Sequence, residues 1–243
     1  MEPDRARLAI SVLDLTDLGD DTTSEAVAAL CDRAVAGATA AVCVWPRFVA
    51  ESASRVAGTG VRVATVVNFP SGDEPADAVA AATREALAAG ADEIDVVLPY
   101  RAWFAGDEAT AADVLGGVRA AVDEAGDDRH MKVIIESGEL PDRAAIDRAS
   151  HFAIGHGADF VKTSTGKTPV SATVEAAEIV LEAIDVSGRP VGFKASGGIR
   201  TAADATIYLD LAEQIMGAGW VSPDTFRFGA SALLDALQAE IAD

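Results

Sequence analysis

Lysine is almost missing from this chain. Only Lys132, Lys162, Lys167 and Lys194 occur among 19 basic residues, and 39 acidic residues leave a formal net charge of -20. A surface so acidic cannot neutralise the phosphates of a nucleic acid, and an anionic lipid surface would repel it. No run of about 20 apolar residues is present, so no membrane span is expected. The opening, MEPDRARLAISVLDLTD, lacks the basic start and small-residue cleavage site of a signal peptide, which makes a cytoplasmic location the expectation. Two cysteines, Cys31 and Cys43, cannot build a disulfide framework and are expected as buried free thiols. The G-x-G-x-x-G dinucleotide fingerprint is absent, as is the acidic calcium-loop pattern. His130, His151 and His156 do not have the usual i, i+4 ligand spacing, and no metal is expected. Aromatic residues make up only 5%, so the core must be built largely from Ala, Val, Ile and Leu.

What is present is a repeating rhythm. The 243 residues, half of them hydrophobic, match the length of one α/β barrel, about 250 residues. Strand candidates are Ala40–Trp45, Val61–Phe69, Asp92–Pro99, Met131–Ser137, Asp159–Ser164, Pro190–Ser196, a weaker Gly219–Ser222, and Phe226–Ser231. Between them lie Ala-rich helical stretches: Asp77–Ala89 closed by Gly90, Thr173–Ile184, and Thr201–Met216 closed by Gly217. Strands and helices alternating without a linker imply parallel strands with crossover helices, in one domain over residues 1–243. The reading is a single-domain (β/α)8 TIM barrel, with a doubly wound open sheet as the structural alternative. Plentiful Asp and Glu, Arg well ahead of Lys, and abundant Ala suggest adaptation to concentrated salt, where screening relieves self-repulsion.

The four lysines then become informative. In DFVKTSTGKTP, Lys162 sits where an apolar strand meets a hydroxyl-rich turn, an odd place for a solvated cation. Alternate strand residues share a face. Aligning the apolar outward sets turns Asp95, Lys132, Lys162 and Lys194 into the barrel interior, with Glu93 on the same face as Asp95. Buried charges need partners, and one carboxylate against three ammonium groups leaves positive charge unmatched. Loss of a lysine proton relieves it, and a lysine made neutral by burial beside a cation is a nucleophile. Lys162 is the candidate nucleophile, Lys194 the neighbouring charge, and Asp95 with Lys132 the proton carriers. The alternative is a salt-bridge network that only orders the interior.

Three segments suit an anion. Thr165, Gly166 and Lys167 offer a hydroxyl, free backbone N–H groups and a cation. Gly197 and Gly198 lie between a strand and a helix, and Ser231 stands near the start of the last helix. Barrels often hold phosphate at the loops after strands seven and eight.

With these residues identified, the chain resembles the 2-deoxyribose-5-phosphate aldolases, a class I (Schiff-base) family on the TIM barrel. The local matches run from DLTDL at Asp14 through AVCVWPRF, ATVVNFPSG, ADEIDVVLPYRA, KVIIESGEL and the highly specific GADFVKTSTGK to RFGAS at Arg227. The resemblance implies reversible aldol cleavage of 2-deoxy-D-ribose 5-phosphate to acetaldehyde and D-glyceraldehyde 3-phosphate. Lys162 would form the Schiff base, Lys194 would tune it, and no cofactor would be needed. Asp14 would lie near the substrate's hydroxyl groups, and Cys43 would be close to the pocket with no step assigned. The expected partners are small phosphosugar and aldehyde substrates, with a possible homodimer. The chain departs from the family in three places. Ala195-Ser196 replaces a common Pro-Ala pair. Ala232 stands where a second serine is frequent. The end, AEIAD, lacks the tyrosine that assists proton exchange in some members. Two rivals keep part of this pattern: a Schiff-base aldolase for another sugar phosphate, and a non-catalytic phosphosugar-binding protein.

Overall fold

The computed structural model describes residues 1–242 and forms a closed barrel of eight parallel strands in sequence order. They are β1 (Leu13–Asp17), β2 (Ala41–Val44), β3 (Arg62–Val67), β4 (Glu93–Val97), β5 (His130–Ile134), β6 (Phe160–Lys162), β7 (Gly192–Ser196) and β8 (Phe226–Ala230). Closure comes from β8 pairing with β1, Leu13 opposite Phe228 and Asp14 opposite Gly229. Among the described residues, no helix is long and apolar enough to cross a membrane.

One expected strand is corrected. Gly219–Ser222 is not a strand; Gly217 and Gly219 take φ of 99° and 80° there, and Thr225 ties the segment into a turn through Ser222 N–H at 3.1 Å. The missing strand is instead β1, near the N-terminus. Its sequence, LDLTD, places Asp14 and Thr16 inward and Leu13 and Leu15 outward, so polar residues interrupt the apolar signal.

The helices are fixed at their starts by side chains that bond the free N–H groups of the first turn. Thr23, Asp107, Asp142, Thr173 and Thr201 each accept from an amide three residues on. Thr201 and Asp204 make a reciprocal capping box that opens the helix Ala202–Met216, directly after the Gly197-Gly198 turn. Such caps are worth about 1 kcal/mol each.

Outward strand residues such as Leu15, Val42, Ile94, Val133, Val161 and Phe193 are buried in the main core. The inside of the barrel is divided differently. Leu18 joins Ala41, Cys43, Ala64 and Val66 in a small apolar cluster separate from that core, and β2 and β3 supply most of it. Strands β1 and β4 to β8 supply the charges. The interior is therefore an apolar wall facing a charged half, and the site is built on the second.

Candidate active site

Register decides which charges meet. Asp95 lies opposite Lys132, Lys162 opposite Lys194, and Lys194 opposite Arg227 on successive strands. Asp95 is the hub. Its Oδ1 accepts from Lys132 at 2.9 Å, and its Oδ2 accepts from Lys162 at 2.8 Å and from Lys194 at 2.7 Å. Asp14 accepts from Lys194 at 2.5 Å and from Arg227 at 2.6 Å. Glu93 accepts from Lys132 and, at 2.8 Å, from Arg227.

These bonds close on themselves. Arg227, Asp14, Lys194, Asp95, Lys132, Glu93 and Arg227 again form a ring in which cations and carboxylates alternate, three of each. Lys162 hangs from Asp95 outside it as a fourth cation. The sequence count of one carboxylate against three ammonium groups is thus corrected to three carboxylates against four basic side chains. The unmatched cation survives that correction, and it is Lys162.

Sequence reasoning missed Arg227 and the charge of Glu93, although both were readable. Glu93 shares the inward face of Asp95, and in Phe226-Arg227-Phe228 the alternation turns Arg227 inward. Small residues make the room: a Cβ on Gly192 would meet the Phe160 ring at 2.3 Å, and one on Gly229 would come within 3.1 Å of Lys194 Cε.

Titration follows the bonding. Burial disfavours charge on all three lysines, but Lys194 and Lys132 each hold two carboxylates and keep their protons above the ordinary lysine value. Lys162 holds one. Burial outweighs the attraction of Asp95, and with the repulsion of Lys194 it brings the Lys162 amine below its ordinary value. Burial also works against the charge of Asp95, yet Lys132, Lys162 and Lys194 keep its carboxyl well below the usual range. The environment makes the proton of Lys162 the easiest of the three to remove.

A cleft of about 760 Å³ opens over this network at the C-terminal end of the strands. Lys162 reaches its floor; Asp14, Asp95, Lys132 and Lys194 are fully buried beneath and do not line it. Thr165, Gly166, Lys167, Gly197, Gly198 and Ser231 all border the cleft, so the three expected anion segments come together. Gly166, Gly197 and Gly198 have φ of 79°, 85° and 83°, a region open to glycine at little cost. Lys167 stands at the mouth, 3.4 Å from Asp20. Arg33 borders the cleft as well and was not foreseen.

The loop after β6 is held from below by Glu136, also unforeseen as a functional residue. This buried glutamate has φ of 50°, a left-handed conformation uncommon outside glycine. Its carboxylate accepts from Thr165 N–H at 3.2 Å and from the Thr168 hydroxyl at 3.2 Å. Burial raises its pKa.

Cys43 is buried on the apolar side, where burial raises its thiol pKa, and Cys31 is a second buried free thiol. The histidines are dispersed: His151 faces Asp147, His156 bonds Phe152 carbonyl, and His130 lies 3.6 Å from Glu93. Among the described residues no three His, Cys, Asp or Glu side chains gather as a metal site would require.

Comparison with known proteins agrees with this architecture. Residues 8–239 match the DeoC/LacD family of aldolases. A deoxyribose-phosphate aldolase of Agrobacterium fabrum is 53% identical over 233 residues, covering 95% of this chain and 89% of that protein. A Toxoplasma gondii structure described as a candidate deoxyribose-phosphate aldolase superposes with a TM-score of 0.88 at 28% identity, covering 99% of this chain and 95% of the other. A tetrameric deoxyribose phosphate aldolase from Aeropyrum pernix shares the fold, with a TM-score of 0.81 at 24% identity over 96% and 91% of the two chains.

Proposed function

The chain belongs to the DeoC/LacD family of aldolases, and on that premise we propose that it is a deoxyribose-phosphate aldolase working through a Schiff base on Lys162. The supporting observation is the position of Lys162: the one interior cation left outside a self-neutral ring, with its amine at the floor of an anion-suited cleft.

In the cleavage direction the neutral amine attacks C1 of open-chain 2-deoxy-D-ribose 5-phosphate, and water leaves to give an iminium. The 3-hydroxyl gives up its proton, the C2–C3 bond breaks, and D-glyceraldehyde 3-phosphate departs. The electron pair of that bond moves into the iminium and forms an enamine. Protonation at C2 and hydrolysis release acetaldehyde and restore the amine. Asp95, 2.8 Å from Lys162, is placed to exchange protons with it, and Lys132 keeps Asp95 ionised. Lys194 supplies a fixed positive charge beneath. Asp14, expected near the substrate's hydroxyl groups, has both oxygens engaged by Lys194 and Arg227; its proposed role is to keep Lys194 charged.

The phosphate is assigned to the backbone N–H groups around Gly166, Gly197 and Gly198, with Ser231 beside them and Lys167 at the mouth. Helix starts and glycine turns favour such an anion. Glu136 holds the first of these loops. Glu136→Ala removes an acceptor shared by two donors, so KM for the phosphorylated substrate is expected to rise about tenfold, with kcat changed much less. An equal fall in kcat without a change in KM would contradict this assignment.

The reaction itself is tested by incubating the protein with 2-deoxy-D-ribose 5-phosphate and quantifying products. Acetaldehyde and D-glyceraldehyde 3-phosphate are expected in equal amounts. Turnover of a different sugar phosphate in its place would mark another aldolase, and binding without cleavage would mark a phosphosugar-binding protein.

A further inference from the structure

We propose that Arg227 and Glu93, neither of which reaches the cleft, are positioning residues that set the charge of the buried ring and thereby decide whether Lys162 carries a proton. The proposal rests on the Schiff-base reading above and deepens it.

Arg227 is 1% exposed, and its bonds fix it in place. Nη2 donates to Glu93 at 2.8 Å, Nη1 donates to Asp14 at 2.6 Å and to Glu93 at 3.1 Å, and Nε donates to Pro223 carbonyl at 2.6 Å. Its guanidinium carbon lies 5.5 Å from the centre of the Phe160 ring, and Phe160 occupies the space that a side chain at residue 192 would need. A guanidinium keeps its charge under all conditions of interest. It is therefore the one cation in the network that cannot relieve the surplus by losing a proton.

Charge parity follows. Without Arg227, Asp14, Glu93 and Asp95 would face only Lys132, Lys162 and Lys194, and all three lysines could remain protonated in balance. With Arg227 present, the ring is neutral without Lys162. The other charged groups near the ring do not restore the balance. Arg62 lies 3.8 Å from Glu93 but is partly exposed, at the start of β3 and so at the opposite end of the barrel from the cleft. At the cleft end, burial raises the pKa of the Cys43 thiol and of Glu136, and Glu136 bonds Thr165 N–H and the Thr168 hydroxyl rather than any cation of the ring.

Removing either member of the pair should shift the titration of Lys162, in opposite directions. Arg227→Gln leaves the carboxylates in excess, so Lys162 holds its proton to higher pH. Glu93→Gln removes an anion, so Lys162 loses its proton at lower pH. A unit charge in a neighbouring shell, at an effective dielectric of about 20, moves a pKa by about one unit.

The test is the acid limb of kcat/KM for 2-deoxy-D-ribose 5-phosphate, which reports ionisations of the free enzyme and free substrate. Alongside it, the pH dependence of acetaldehyde trapping on Lys162 by cyanoborohydride is followed by peptide mass. Arg227→Gln is expected to move both limbs up by about one pH unit, Glu93→Gln to move them down, and Arg227→Lys, which restores a cation, to bring them back towards the parent. A packing role alone would lower activity without moving the limbs. Coincident limbs in folded variants, or shifts of the same sign, would overturn the proposal. If Arg227→Gln does not fold, Glu93→Gln decides alone, and an unmoved limb overturns it. Failure of the parent protein to cleave substrate or form the Lys162 adduct would overturn the aldolase reading beneath it, an outcome distinct from cleavage with unmoved limbs.

Discussion

Lys162→Met is expected to abolish cleavage, by on the order of 10⁴-fold or more, while the thermal midpoint stays within a few degrees of the parent's. The two halves of this result have one origin. The ring of Arg227, Asp14, Lys194, Asp95, Lys132 and Glu93 is balanced without Lys162. Methionine fills a similar volume, adds no charge, and leaves Asp95 with its bonds from Lys132 and Lys194. No buried carboxylate is stranded, so the large penalty of breaking a buried ion pair does not arise. At this chain length about 1 kcal/mol corresponds to roughly 2–4 °C. Lys162→Arg separates charge from nucleophilicity. It makes the surplus cation permanent and is expected to be both inactive and less stable than Lys162→Met. Thermal melts and product assays on the two variants check the comparison. A Met variant that melts far below the Arg variant would show that Lys162 is charged in the resting protein.

Asp95→Asn is expected to have the largest effect on stability. Asp95 is fully buried and accepts from the amines of Lys132, Lys162 and Lys194, of which Lys132 and Lys194 hold their protons firmly. An amide can satisfy some of their donors but none of their charge. Uncompensated buried cations cost about 3–5 kcal/mol, which corresponds to a fall of roughly 10 °C in midpoint. Turnover is expected to fall by about a hundredfold or more, since the proton partner of Lys162 is lost with the charge.

The same substitution changes the acid dependence of stability. Asp14, Glu93 and Asp95 all bind protons less tightly in the folded protein than their ordinary values of 3.8, 4.5 and 3.8. Burial opposes this, but the lysines and Arg227 prevail. The unfolded chain therefore takes up protons first as the pH falls. The stability these groups contribute is present above about pH 5 and drains away as the pH drops through 4 and below. Asp95→Asn removes one of the three, so its denaturation midpoint should depend less steeply on pH between about 5 and 3. An unchanged slope would mean that Asp95 does not carry its share.

Much of this site can be read along the chain because lysine is so scarce. A cation retained on an apolar strand is conspicuous, and the period of two assigns Lys132, Lys162 and Lys194 to one face without any coordinates. The glycine and hydroxyl segments after β6 and β7 are legible for a similar reason, since each follows a strand and precedes a helix or turn. Ring closure is not legible. Lys194 meets Asp14 across 180 residues and Arg227 meets it across 213, and both meetings depend on β8 pairing with β1. That pairing is hidden because Asp14 and Thr16, the inward residues of β1, make the strand look like a polar loop. Gly219–Ser222 takes its place in the sequence count, although Gly219 and the nearby Gly217 suit a turn better than a strand. With β1 missing, Asp14 had no assigned face, and the charges could not be balanced correctly. Glu136 is illegible for a different reason: nothing in KVIIESGEL says that a glutamate will adopt a left-handed backbone and hold the next loop.

The central claim is that Lys162, the lysine left outside the balanced ring and the easiest of the interior three to deprotonate, forms the covalent intermediate. Incubation with acetaldehyde and borohydride, followed by intact and peptide mass, tests it most directly. A single reduced adduct on Lys162, absent from Lys162→Arg, is the expected result. Folded protein that yields no adduct, or an adduct on Lys194 in its place, would contradict it.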